Sequence, residues 1–109
     1  MSRAAPADPR LALAEKDLQR QIIALAKTFG WAVYHPLLSK WSEKGWPDLA
    51  MIRGPRMIAA ELKAEKGTVT EHQQAWLDAL AEVPGIECYV WRPSSWYAGE
   101  VERVLLALK

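Results

Sequence analysis

The chain has 109 residues, half of them apolar and a quarter charged, with a net charge of +1. That length supports one compact core and not two, and the composition is that of an ordinary globular domain rather than a disordered or collagenous chain. No apolar run approaches the about 20 residues of a membrane span, and the first ten residues lack the apolar stretch of a secretory signal.

Residues 1–8 read as a flexible leader of small residues, and residues 9–109 as a single domain. Asp8-Pro9 predicts a helix start, with Asp8 as cap and Pro9 at the first helical position. From there Leu18, Ile22, Leu25, Ala26 and Phe29 recur at helical spacing, and Gly30 supplies a left-handed stop. Trp31 to His35 reads as a short strand closed by Pro36, and Leu37 to Pro47 as a loop. Asp48 to Arg53 and Met57 to Lys63 form two apolar-rich runs around Gly54-Pro55-Arg56, the chemistry of a hairpin turn. Thr70 and Gln73 predict a capping box on a second helix whose apolar face is Trp76, Leu77 and Leu80. Pro84-Gly85 stops that helix, and Ile86 to Trp91 is a last strand. Arg92 to Ser95 then reads as a loop before a terminal amphipathic helix carrying Val101, Val104, Leu105 and Leu108. The order is α-β-β-β-α-β with a C-terminal helix, and the expected class is α/β: a small mixed sheet flanked by helices.

The single Cys88 permits no internal disulfide and no cysteine-built zinc cage, which suits a reducing compartment. A cytoplasmic location with no membrane partner is the expectation, and any metal must be held by oxygen or histidine. Charge is unevenly spread. Residues 1–34 carry five basic and three acidic groups, residues 35–70 six and four, and residues 71–109 three and six. Most of the six tryptophans are expected in the core.

Polar residues that interrupt the apolar pattern are the informative ones. Glu15 lies within about 80° of Leu18, Ile22, Leu25 and Phe29 on a helical projection, so it is expected to point inward, and Gln73 is aligned in the same way with Trp76, Leu77 and Leu80. Glu61 and Lys63, two apart on a strand, emerge on one face while Leu62 faces the core. The hairpin turn folds Asp48 back beside Glu61. Two carboxylates so placed repel each other, and a hard divalent cation relieves the repulsion; Mg²⁺ accepts one or two carboxylates and completes its shell with water and phosphate oxygens. Mn²⁺ would satisfy the same ligands. Lys63 is positioned to orient a water or neutralise charge at phosphorus.

Gly45-Trp46-Pro47-Asp48, then Glu61-Leu62-Lys63, then Thr70-x-x-Gln73-x-x-Trp76, with Glu15-x-x-x-Gln19 on the first helix, resembles the PD-(D/E)XK nuclease superfamily and within it the stand-alone VRR-NUC branch. The resemblance runs from about residue 13 to residue 91 and leaves the stretch after Arg92 unmatched. It implies a restriction-endonuclease-like core and metal-dependent cutting of DNA, selective for branched or junction-like structures. It also implies that Asp48, Glu61 and the Leu62 backbone carbonyl ligate the metal, with Glu15 as a helix-borne acid completing the site. Lys63 would be the catalytic lysine and Gln73 an auxiliary polar residue.

For substrate contact, Lys40, Lys44, Arg53, Arg56 and Lys66 could neutralise phosphates, and Trp41 or Trp46 could stack on an unpaired base. His35 and His72 are read as ordinary polar residues. A homodimer is expected, since one small domain offers little surface to grip a branched DNA and a two-fold pair of sites suits a two-fold substrate. The alternative is a catalytically silent nucleic-acid-binding module that recruits a helicase or packaging enzyme.

Overall fold

The structure, a computed structural model, describes residues 8–36 and 43–108. It opens with a 3-10 turn, Pro9–Ala12, capped by Asp8, whose carboxylate accepts the Arg10 N–H at 2.9 Å. Helix α1 begins only at Glu15 and runs to Thr28. The single long helix expected from Asp8 is therefore two pieces, separated where Leu13 adopts an extended backbone (φ −56°, ψ 126°) and packs against the core. Leu18, Ile22 and Ala26 form the buried stripe of α1, one turn apart each time.

The strands follow as β1 (Ala32–Tyr34), β2 (Leu49–Arg53), β3 (Arg56–Leu62) and β4 (Ile86–Trp91). Gly54 at φ +57° followed by Pro55 makes the two-residue turn between β2 and β3, a positive-φ position that glycine occupies without strain. Helix α2 (Glu71–Ala81) crosses from β3 to a parallel β4, so the sheet is mixed, in the order β1-β2-β3-β4. The expected element order is the order found.

Two differences lie near the end of the chain. Arg92 to Ser95, read as a loop, leads instead into a short helix α3 (Pro93–Tyr97), with proline at its first position and the Ser95 hydroxyl accepting the Arg92 N–H at 3.1 Å. Helix α4 spans Glu100–Leu106, so Leu108 lies beyond it and is 91% exposed instead of packed.

Side chains alternate across the sheet. Leu49, Met51, Ile58, Ala60, Leu62 and Trp91 meet α1, α4 and Trp31 in one hydrophobic cluster. Helix α2 covers the other face over β3 and β4, inserting Leu77. That second face is where Glu61 points. Among the described residues no helix is long and apolar enough to cross a membrane.

Candidate active site

The hairpin register brings the two central carboxylates together. Leu49 pairs with Ala60 and Ala50 with Ala59, so the same register continued by one residue sets Asp48 directly across from Glu61. Asp48 is tied down by its own backbone neighbourhood, its Oδ2 accepting the Leu62 N–H at 2.8 Å. Glu61 is only 2% exposed. Its Oε2 is one of two buried side-chain atoms without a hydrogen-bond partner among the described residues, the other being Trp91 Nε1 within the core.

Gln73 reaches Glu61 from α2. Its Oε1 accepts the Thr70 N–H at 2.9 Å while its own N–H is held by the Thr70 hydroxyl at 3.2 Å, completing the capping box. With the amide oxygen so engaged, the Nε2 end is directed at Glu61 Oε1, 3.3 Å away. One side chain therefore starts the helix and orients the buried acid. Burial pushes the Glu61 carboxyl up to about 9, and the hydrogen bond and negative charge of Asp48 add to this, as does the charge of Glu15, while Lys63 opposes them. The half-buried Lys63 comes directly after the last residue of β3, its N–H donating to the Trp91 carbonyl at 3.0 Å.

The segment entering β2 is seated on α2. Gly45, at φ +88°, passes so close to the start of that helix that a Cβ there would stand 2.5 Å from the His72 carbonyl carbon. Trp46 meets Trp76 edge-on at 4.9 Å, and Trp76 Nε1 donates to the Lys44 carbonyl at 3.1 Å. Trp46 thus serves as packing against α2. The result is a cleft of about 450 Å³ walled by Gln19, Lys44, Trp46, Asp48, Glu61 and Gln73, among others.

Several expected site residues stand elsewhere. Glu15 is exposed, not turned inward: the helix starts there, so the residue occupies the free first turn instead of a packed stripe, and only its charge reaches Glu61. Among the described residues no three acid, histidine or cysteine side chains converge as a metal cluster; of the expected acid ligands, Asp48 and Glu61 line the cleft, and Glu15 is not among the residues described as lining it.

Arg53 and Arg56 are also displaced from their expected role. Both guanidinium groups lie over the Trp31 ring, 4.7 and 5.0 Å from its centre. Arg53 donates to the Leu105 and Ala107 carbonyls at 2.7 and 2.6 Å. Arg56, 5% exposed, donates to Ala107 at 2.6 Å and forms an ion pair with Glu87 at 2.7 Å. They serve the C-terminal end of α4, whose free carbonyls attract cations, at the opposite end of the hairpin from Asp48. Lys44 and Lys66 are exposed, and Lys40 and Trp41 lie outside the described residues. Sequence reasoning gave no role to Glu43, which lines the cleft with Gln19; neither breaks an apolar pattern, the signal that singled out the others.

The donor set fits a hard cation. A buried carboxylate with an unpartnered oxygen, facing a second carboxylate, is a charge arrangement that a divalent ion relieves, and two carboxylates are what Mg²⁺ takes alongside water. Fold and geometry together define a small α/β domain with a two-carboxylate cleft at one end of its sheet. In comparisons with protein-family models, curated proteins and solved structures, the chain matches none of them.

Proposed function

We propose that the chain is a metal-dependent endonuclease of the PD-(D/E)XK type, in the VRR-NUC branch, that hydrolyses phosphodiester bonds in branched DNA. The observation that carries this reading is the buried Glu61, set opposite Asp48 in the hairpin register, with no donor to its Oε2 among the described residues. Asp48 and Glu61 would hold Mg²⁺, or Mn²⁺ in its place, with the Leu62 carbonyl as a backbone ligand. Bound there, the ion would supply Lewis acidity toward a phosphate oxygen and a water of lowered pKa.

The protein residues do the rest. The Leu62 N–H fixes Oδ2 of Asp48, which leaves Oδ1 for the ion. Gln73 keeps the Glu61 carboxylate in one orientation. Lys63, one residue past the end of β3 and near enough for its charge to act on Glu61, orients the attacking water or neutralises the charge developing on phosphorus. Lys44 on the cleft wall and Lys66 beyond β3 contact phosphates without reading sequence.

The test is cleavage of linear, flapped and four-way-branched DNA in Mg²⁺, Mn²⁺ or EDTA by the wild type, Asp48→Ala and Lys63→Ala. Metal-dependent cutting that both substitutions abolish is the expected result. Branched DNA bound but never cut would instead make the chain a recruiting module. The same reading has the protein acting as a homodimer, and a monomeric mass in solution at working concentration would remove that part of it.

A further inference from the structure

Beside the acid cleft lies a second hollow of about 440 Å³, between α1 and the edge strand β1, lined by Lys16, Gln19, Arg20, Ile23, His35 and Pro36. Gln19 and Pro36 belong to both walls, so the two hollows adjoin. Their charges differ in sign. Among the described residues, the first is lined by Glu43, Asp48 and Glu61 and by one cation, Lys44; the second is lined by Lys16, Arg20 and His35 and by no acid. We infer that this second hollow binds the sugar–phosphate backbone of the DNA strand as it leaves the acid cleft, taking the proposed nuclease reading as the source of its ligand.

The physical need for such a site follows from the acids themselves. A polyanion entering the acid cleft meets the carboxylates of Asp48 and Glu43, so its binding is favoured by cations close by that the fold has not already used. Arg53 and Arg56 are used, by the α4 carbonyls. Lys16 and Arg20 are exposed and lie one turn apart on α1, about 6 Å along its axis, the scale of the separation between neighbouring phosphates of one strand. Asp17 is the acid nearest to them in contact, 3.4 Å from Arg20, but that pair is 73% and 45% exposed and of little net strength, so a phosphate competes with it readily. Ile23 and Pro36 give the hollow an apolar floor against which a sugar ring packs.

The experiment is binding of fluorescently labelled four-way-branched DNA in EDTA, followed by anisotropy across a salt series, with cleavage in Mg²⁺ run on the same preparations. Lys16→Ala/Arg20→Ala is compared with the wild type and with Arg103→Ala, a charge removed from α4. The double variant should bind about tenfold more weakly, with a log–log salt slope shallower by about 2, while Arg103→Ala binds as the wild type does. Because both side chains are exposed, the melting temperature should not move. A wild type that cuts, with a double variant of unchanged affinity and slope, overturns the groove and leaves the nuclease reading standing. Binding that the double variant loses, by a wild type that never cuts, removes the nuclease and keeps the groove. A wild type that neither binds nor cuts overturns both.

Discussion

The two ends of the β2–β3 hairpin handle charge in opposite ways. At the turn, Arg53 and Arg56 have every contact met inside the molecule: the Trp31 ring, the α4 carbonyls and, for Arg56, the Glu87 carboxylate at 2.7 Å. At the open end, two carboxyl groups face each other, and among the described residues no donor reaches the buried Glu61 Oε2. A buried polar group whose partners are all supplied by the fold is architecture; one left half-supplied marks a place for something from outside. Charged residues at the two ends look alike in the sequence, and only their surroundings separate them.

The largest effect that would break this contrast is catalytic. Asp48→Asn, which keeps an oxygen for the Leu62 N–H, or Lys63→Ala should lower the cleavage rate roughly 10²–10³-fold while leaving the melting temperature close to that of the wild type, because neither removes core volume or a buried hydrogen bond. Arg56→Ala should do the reverse. Removing the guanidinium from Glu87 and from the end of α4 should cost about 3 kcal/mol of stability, read by chemical denaturation, with DNA affinity unchanged for the folded fraction. If Arg56→Ala instead weakened DNA binding at constant stability, the turn end would be a substrate surface after all.

A smaller effect sharpens the acid end. Glu61 keeps its proton up to about pH 9 in the folded protein and loses it near the ordinary 4.5 when unfolded. Between these values the folded state binds more protons than the unfolded one, so stability must fall as pH rises. In EDTA the melting temperature should therefore decline from pH 5 toward pH 9. Mg²⁺ should offset the decline most strongly at high pH, because the ion binds the deprotonated carboxylate. Glu61→Gln should flatten the profile and raise the melting temperature at pH 8 by about 5 °C while abolishing cleavage. A flat wild-type profile would mean that Asp48 and Glu61 do not burden the fold.

Much of the architecture was legible because its causes are local. Gly54-Pro55 reversing the chain and Thr70 with Gln73 opening α2 each depend on residues within a few positions, where sterics and capping decide the outcome. The pairing of Asp48 with Glu61 was legible for the same reason, since a tight turn dictates register. The exposure of Glu15 was not: a helical projection assumed a helix already running, and Leu13 leaving helical geometry made Glu15 the first residue of a new one.

By itself, then, the sequence determined the order of elements, the hairpin register and the meeting of two acids at its open end. Tertiary structure decided which cations were consumed within the fold, that Gln73 orients Glu61 besides capping its helix, and that a cationic hollow adjoins the acid cleft. Arg53 finds its carbonyl partners 52 and 54 residues away. No local pattern encodes contacts of that separation; they exist only because packing α4 against α1 and the sheet brings free carbonyls to the turn, where the Arg53 and Arg56 guanidinium groups stand.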